Sequence, residues 1–385
     1  MKLLSIASAS FIGGATFSLL NLLKGLKEKG IEIEVIVPNY GFLCEELSKI
    51  NVPYHYCPIP FAIWPPHKNI KDYVLYFPRF VRTFLLNKIG YYRLNKLVKQ
   101  IKPDIIHTNV SVINIGFKVA KNQNIPHVWH VREYGDKDFD FCHFPSDHIF
   151  QKELRSESYA ICITRDLLNY FNLGSKAIAI YNGIEESSDQ FCDVTKEKTF
   201  IFAGHLSDGK GTRSIIREFA KFAASDNKGY ILELWGAAPE SYNRLLRKEI
   251  SDLGMSNRIF LMGETKEIYS VMRKAKAIIV PSKYEGFGRI TAEAMINYCL
   301  VIGRDTGGTK EQFDNGLELF GSEIALRFNS DDEIADCLRQ VAKMTHKEYI
   351  DMLALARNTV HELYSCQKNV DETFDFLSSL YKNEF

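Results

Sequence analysis

The string Pro281–Met295, PSKYEGFGRITAEAM, sets two carboxylates eight residues apart, Glu285 in a glycine-rich turn and Glu293 in the segment that follows. The apolar run AKAIIVPS leads into it as a strand, and ITAEAMINY reads as a helix. Such a turn places backbone N–H groups and the positive end of a helix beside whatever it binds, which suits an anion. Gly286 and Gly288 allow a ligand to approach the backbone closely. An isolated E-x(7)-E pair arises by chance in a turn and on a helix surface. The full string after an apolar strand is what carries the signal. A second turn, AGHLSDGKG, brackets Lys210 between Gly209 and Gly211 ahead of the helical run TRSIIREFAKF. Its ammonium is placed to reach a diphosphate, the alternative being a solvated surface lysine. The turn is not G-x(4)-G-K-[ST], so it does not read as a P-loop.

Weaker candidates surround these two turns. Gly13 and Gly14 follow the first strand-like run, where glycines admit close backbone approach. That turn lacks G-x-G-x-x-G and has no acidic residue at the ribose spacing, which argues against a nicotinamide cofactor. Thr309 and Glu311, in DTGGTKE, follow a later strand end and read as acceptor-side or merely structural groups. His130 ends the apolar run VWHV ahead of Arg132 and Glu133, and His107 has the same placement in PDIIHTN. Lone histidines of this kind are more often satisfied structural ones. Asp136, Asp138 and Asp140 imitate a D-x-D metal motif, but that loop reads as acceptor-side or solvated, and no metal is expected.

Strand-like and helix-like runs alternate along the whole chain, which implies βα units and parallel sheets. One series runs from LLSIAS to AIAIYNG and a second from KTFIFAGH to CLVIGRD, with the polar stretch Glu185 to Lys198 between them as the natural linker. From about His346 the chain reads as helix only. Two doubly wound domains of this kind bring their strand C-termini around one cleft. A length of 385 residues allows two or three domains, and 46% hydrophobic with 25% charged residues is globular composition. The formal charge of +1 provides no global field to recruit nucleic acid. Eight cysteines include no C-x-x-C pair, so buried free thiols in a reducing compartment are expected rather than structural zinc. The apolar core of MKLLSIASAS is too short for a secretory signal, and no run is long enough to span a bilayer. A cytoplasmic protein is expected, with the inner face of the membrane as an alternative address.

With these motifs in their order, the sequence resembles the retaining glycosyltransferases of family 4, whose fold is GT-B. FIGGAT, PDIIHTN, YNGIE, GHLSDGKG, LELWGAAPE, AKAIIVPSKYEGFGRITAEAM and VIGRDTGGTKE carry the resemblance over nearly the whole chain. It implies that residues 1–190 form an acceptor-side Rossmann-like domain and 196–360 a nucleotide-sugar-binding one. Residues 361–385 would then be a helix crossing back to the first domain. It further implies that Glu285 contacts the donor sugar hydroxyls and Glu293 the nucleotide ribose. Backbone groups of Phe287, Gly288 and Arg289 would hold the sugar and diphosphate, and His130 would stand near the transferred sugar. The sequence departs from the commoner family pattern at His205, where that pattern has an arginine, and at Arg289, where it has an aliphatic residue. A neutral histidine cannot make a bidentate charged contact to phosphate. The expectation is that the guanidinium has moved from one turn to the other.

Residues 60–102 form a basic, aromatic insertion: nine Lys and Arg residues opposed by Asp72 alone give a local net charge of +8. An amphipathic stretch of this kind fits an anionic membrane surface better than nucleic acid, the alternative being a helix pair with solvated lysines. The expected function is retaining transfer of a hexose or N-acetylhexosamine from a nucleotide-diphosphate sugar to a glycan or lipid-linked acceptor in bacterial surface polysaccharide synthesis. No cofactor is expected beyond that donor substrate. The rivals are a nucleotide-sugar epimerase of the same fold, which would turn over without an acceptor, and a non-catalytic sugar-nucleotide-binding protein. The presence of both Glu285 and Lys210 argues against the latter.

Overall fold

The computed structural model describes residues 1–11, 13–65, 70–185, 196–225 and 229–382. They divide into two compact units, Met1–Gly183 with Cys366–Phe385, and Ile184–Ser365. In the first unit the strands are β1 (Lys2–Ile6), β2 (Glu32–Val37), β3 (Tyr54–Tyr56), β4 (Ile105–Thr108), β5 (His127–Val131), β6 (Tyr159–Cys162) and β7 (Ala177–Ala179). They form one sheet in the order β3-β2-β1-β4-β5-β6-β7, every pair parallel. Successive residues of β1 feed opposite faces: Leu3 joins the core under the opening helix Gly14–Glu28, and Leu4 and Ile6 join the core on the other side. A sheet covered on both faces needs near-continuous apolar strands, which is how these runs read.

The second unit repeats the architecture with β8 (Thr199–Ala203), β9 (Ile231–Trp235), β10 (Ile259–Gly263), β11 (Ala277–Val280), β12 (Leu300–Arg304) and β13 (Leu326–Phe328). Their order is β10-β9-β8-β11-β12-β13, again all parallel. In each sheet the winding direction reverses once, between β1 and β4 in the first and between β8 and β11 in the second. Open α/β sheets bind ligands outside the strand C-termini at such a switch point. The edge strands β3 and β13, of three residues each, were not anticipated from the sequence.

The chain passes from the first unit to the second at Ile184 and returns at Cys366. Ile184 donates its N–H to the Tyr364 carbonyl at 2.7 Å and bridges Ser365, so both passing segments are fastened to the second unit there. These points differ from the expected 190 and 361. Most of the expected linker, residues 186–195, lies outside the described residues. The last helix, Cys366–Tyr381, packs on the opening helix of the first unit, where a Cβ on Gly25 would lie 2.4 Å from Val370. Lys29 and Asp371 close that contact with an ion pair at 2.6 Å.

The basic insertion forms a single helix, Ile70–Ile101, of 32 residues with Pro78 inside it, rather than a pair; Lys68 lies outside the described residues. Its C-terminal third buries Gly90, Leu94, Val98 and Ile101. None of its first 20 residues is buried. Among the described residues no helix is long and apolar enough to cross a membrane.

Candidate active site

In the second unit, the turns that follow β8 and β11 come together at the switch point. After β8, Ser207 caps the short 3-10 turn Asp208–Lys210 by accepting the Lys210 N–H at 3.3 Å. This directs the Lys210 side chain toward the next turn, where its Nζ meets Glu285 Oε1 at 2.5 Å. Both side chains are partly exposed, at 40% and 23%. An ion pair in that setting contributes roughly 0–1 kcal/mol, so it exchanges readily for another partner. His205, in the same turn as Lys210, is exposed.

After β11 the turn delivers Gly288 in the left-handed region (φ 78°) as N-cap of the helix Arg289–Ile296. A Cβ there would also press on Thr309 Oγ1 at 2.9 Å, so the position demands glycine twice over. The turn is braced from the start of the helix Gly307–Phe320. Thr306 Oγ1 donates to the Lys283 carbonyl at 2.7 Å, Gly308 N–H to the Glu285 carbonyl at 2.8 Å, and the Gln312 amide to the carbonyls of Phe287 and Gly288. A Cβ on Gly308 would lie 2.6 Å from the Phe287 backbone. The Phe287 ring is buried edge-on against Tyr364, so only its backbone is available to a ligand. Sequence reading missed Thr306 and Gln312 and saw Gly308 only as part of a diglycine turn. Of the two readings of Thr309, its placement fits the structural one: it is 3% exposed with its hydroxyl 3.4 Å from that of Thr291, a brace beneath the turn. Glu311 is half-buried on the same helix.

Four residues apart on one helix face, Arg289 and Glu293 form the third feature of this site. Arg289 donates from Nε and Nη2 to Glu293 Oε1 at 3.1 and 2.9 Å, and the two side chains are 20% and 15% exposed. Burial raises the Glu293 carboxyl above the ordinary carboxylate range, against the lowering effect of Arg289 and of a hydrogen bond from Tyr269. The guanidinium expected to face phosphate is therefore turned onto the ribose-binding candidate. Lys210, Glu285, Arg289 and Glu293 thus line one switch point, two cations interleaved with two carboxylates.

In the first unit the corresponding position lies between β1 and β4. Gly13 N-caps the opening helix in extended conformation, and Gly14 is that helix's first residue. A Cβ on Gly13 would meet nothing closer than 3.9 Å, so packing alone does not require glycine there. Behind it runs a buried chain: Ser5 Oγ to His107 Nδ1 at 3.0 Å, then His107 Nε2 to His130 Nδ1 at 3.2 Å. The Arg132 guanidinium, 3.5 Å from the same His130 Nδ1, can only donate. His130 Nδ1 is therefore an acceptor, and the proton of this neutral ring sits on Nε2, which is buried without a partner among the described residues. Burial depresses both imidazoles, His107 down to about 3 and His130 well below its ordinary value. Arg132 itself is held by Asn109 and Asn182, the latter at 2.6 Å. The acidic loop is occupied with its own backbone: Asp138 accepts the N–H groups of Tyr134 and Gly135, and Asp136 accepts from the Lys137 N–H and the Tyr170 hydroxyl. Among the described residues no cluster of His, Cys, Asp and Glu could hold a metal ion.

Residues 184–357 match the family described as glycosyl transferases group 1, and residues 12–188 match glycosyltransferase family 4. The chain is 24% identical over 398 residues to the uncharacterized glycosyltransferase MJ1607 of Methanocaldococcus jannaschii, covering 94% of this chain and 93% of that one. A segment of 149 residues, 34% of this chain and 22% of the other, is 29% identical to the poly(glycerol-phosphate) alpha-glucosyltransferase of Bacillus subtilis. In fold it is similar to Anabaena Alr3699/HepE in complex with UDP, with TM-score 0.76 and 18% identity over 98% of this chain and 100% of that one. The lipopolysaccharide outer core galactosyltransferase WaaB matches at TM-score 0.71 and 15% identity over the full length of both chains.

Proposed function

The chain belongs to the group 1, family 4 glycosyl transferases and has their GT-B fold, and on that premise we propose that it moves a hexose or N-acetylhexosamine from a nucleotide diphosphate to a glycan or lipid-linked acceptor with retention. The observation that carries this reading is the Lys210–Glu285 pair at the β8/β11 switch point, with Glu293 one helix turn beyond Arg289. On donor binding, Lys210 leaves Glu285 for the diphosphate. That exchange frees Glu285 to accept hydroxyl protons from the donor sugar. Glu293, held in place by Arg289, accepts from the ribose hydroxyls. The breaking anomeric bond develops negative charge on the diphosphate, and Lys210 with the turn's backbone offsets it, so the chemistry needs no metal. Among the described residues no carboxylate is evident as a nucleophile, which favours front-face attack assisted by the leaving phosphate.

The HepE structures hold UDP and UDP-glucose, and TarM was solved with UDP and alpha-GlcNAc-glycerol, which makes UDP sugars the first donors to test. Sequence similarity to a poly(glycerol-phosphate) glucosyltransferase and to a lipopolysaccharide core mannosyltransferase supports a role in surface polysaccharide synthesis. A thermal-shift screen across UDP-, GDP- and ADP-sugars tests the reading. One base is expected to stabilise the protein, with the shift lost in Glu293→Ala. Absence of a shift with every sugar nucleotide would overturn it.

A further inference from the structure

The long helix Ile70–Ile101 has three faces rather than two. One face of its C-terminal third is buried in the first unit. From Ile70 to Tyr92 a second face carries apolar side chains every three or four residues, and they are exposed: Tyr73 64%, Phe77 71%, Phe84 46%, Leu85 52% and Tyr92 69%. At 1.5 Å per residue this stripe runs for about 33 Å. A helical wheel at 100° per residue puts Lys71, Arg82, Arg93 and Lys96 along its outer edge, and all four are exposed. Arg79 falls away from that edge and pairs with Asp72 at 2.7 Å. The arrangement departs from an ordinary surface helix, in which the face away from the core is polar.

Beside the stripe lies a cavity of about 270 Å³. Phe80, Phe84, Tyr91 and Tyr92 of the helix line it, opposite Ile115 and Phe144, and Lys88 and Lys118 also border it. Phe84 and Tyr92 belong to the stripe and to the cavity wall at once. The space is below the roughly 300–1,000 Å³ of pockets that enclose whole small molecules, and its walls mix aromatic and aliphatic side chains with a polar border. It suits a segment of a flexible apolar chain. Asn87, on the same wall, spends its amide N–H on the Thr83 carbonyl at 3.0 Å, while its Oδ1 is buried with no partner among the described residues.

We propose that this helix docks the protein on an anionic lipid leaflet, its apolar stripe lying in the interface while one phospholipid acyl chain enters the cavity and the headgroup phosphate meets Lys88 and Lys118. Charge selects the occupant. The described residues of the helix and its end carry eight cations, from Lys71 to Lys102, against Asp72 alone. An in-plane amphipathic helix buries its apolar face about 5–10 Å into the headgroup boundary and draws on anionic lipid for the rest of its affinity. The inference does not rest on the transfer chemistry, and donor binding measured in solution reports on that separately.

The test is flotation of the full-length protein with phosphatidylglycerol-containing vesicles and with pure phosphatidylcholine vesicles. Binding is expected to the anionic vesicles alone and to weaken as salt shortens the screening length. The pair Phe77→Glu with Leu85→Glu should cut the bound fraction at least tenfold, and Arg82→Glu with Arg93→Glu should remove the salt-sensitive binding, with sugar-nucleotide binding unchanged in both. Trp64 stacks on Phe80 at 5.6 Å and packs edge-on against Phe144 at 4.9 Å, so it reports on the cavity. Spin-labelled acyl chains should quench its fluorescence, a signal lost in Trp64→Phe and reduced when Thr83→Phe fills part of the space. Equal binding to neutral vesicles, wild-type binding by the glutamate variants, or burial of the stripe in a stable dimer of the chain would overturn the proposal.

Discussion

Arg289→Leu separates two roles for this guanidinium by the sign of a pH effect. The fork from Nε and Nη2 to Glu293 is a charge-assisted contact in a mostly buried setting, of a kind that stabilises the carboxylate by about 1.5–3 kcal/mol. At 1.36 kcal/mol per tenfold, its loss shifts the balance toward protonated Glu293 by roughly 10- to 150-fold. Burial already holds that carboxyl above its ordinary range, so the variant carries the shift further upward. A protonated Glu293 has lost its charge and turned one oxygen into a donor, so it accepts from the ribose hydroxyls more weakly. The nucleotide affinity of Arg289→Leu should therefore fall further behind wild type as pH decreases from about 8, and the two should converge where both carboxyls are neutral. Stability should move the opposite way. A carboxyl whose folded pKa is raised loses stability as pH rises through that value, so the variant's thermal deficit should be larger at pH 8 than at pH 5. Calorimetric titration with UDP and melting curves across that range measure both. If instead the loss were independent of pH and were recovered by adding His205→Arg, Arg289 would be acting on phosphate and the argument from Glu293 would be refuted.

Glu285→Gln should lower turnover at least tenfold while diphosphate binding holds or tightens by up to about fivefold, because Lys210 no longer has to leave a carboxylate worth roughly 0–1 kcal/mol; steady-state kinetics and UDP titration distinguish the two effects. Gly308→Ala forces a methyl to within 2.6 Å of the Phe287 backbone, an overpacking cost of about 1–3 kcal/mol, and should lower both melting temperature and kcat, whereas an unchanged kcat would deny the turn its brace. Excess EDTA should leave transfer intact; activity lost to chelator and restored by manganese would return Asp136 and Asp138 to consideration as ligands.

Much of the fold was legible because both sheets are parallel and covered on two faces, which compels the apolar runs that mark β1, β5, β8 and β11. The edge strands β3 and β13 escaped notice because three residues paired on one side leave little pattern. Glu285 and Lys210 were legible for a related reason: each follows an apolar run by a few residues in a turn rich in glycine. The brace beneath them was not. Gly308 and Gln312 reach the turn through its carbonyls, and a contact made to backbone leaves no mark in the residue types of the segment contacted. Arg289 and Glu293 show a reading that local spacing could have corrected, since residues four apart on a helix face each other. Asp138 shows the reverse case, a motif-like spacing satisfied by the N–H groups of its own loop.

The buried histidines make a last prediction that concerns the first unit alone. His107 and His127 are each depressed to about 3 by burial, and His130 is lowered as well. His127 is satisfied as a neutral ring by Thr108 at 2.9 Å and Ser158 at 3.3 Å, and His107 by Ser5 and His130. The unfolded chain binds these protons near pH 6.5, while the folded chain refuses them. A group with a depressed folded pKa supports stability above its unfolded value and loses that support as pH falls, at a cost of about 1.4 kcal/mol per histidine between pH 7.5 and 5.5. Three together amount to about 4 kcal/mol, or roughly 8–16 °C in melting temperature for a unit of this size. Glu133, Glu153 and Glu372, raised by burial, oppose them as pH falls through their own folded values, while His143, lowered by burial, acts with them. Melting curves at pH 7.5, 6.5 and 5.5 should show the first unit losing most of this stability, and His127→Gln should flatten the slope by about a third relative to the three-histidine total. A melting temperature constant across that range would mean that these rings take up protons in the folded state. The acceptor role of His130 Nδ1, which depends on a neutral ring, would then lose its basis.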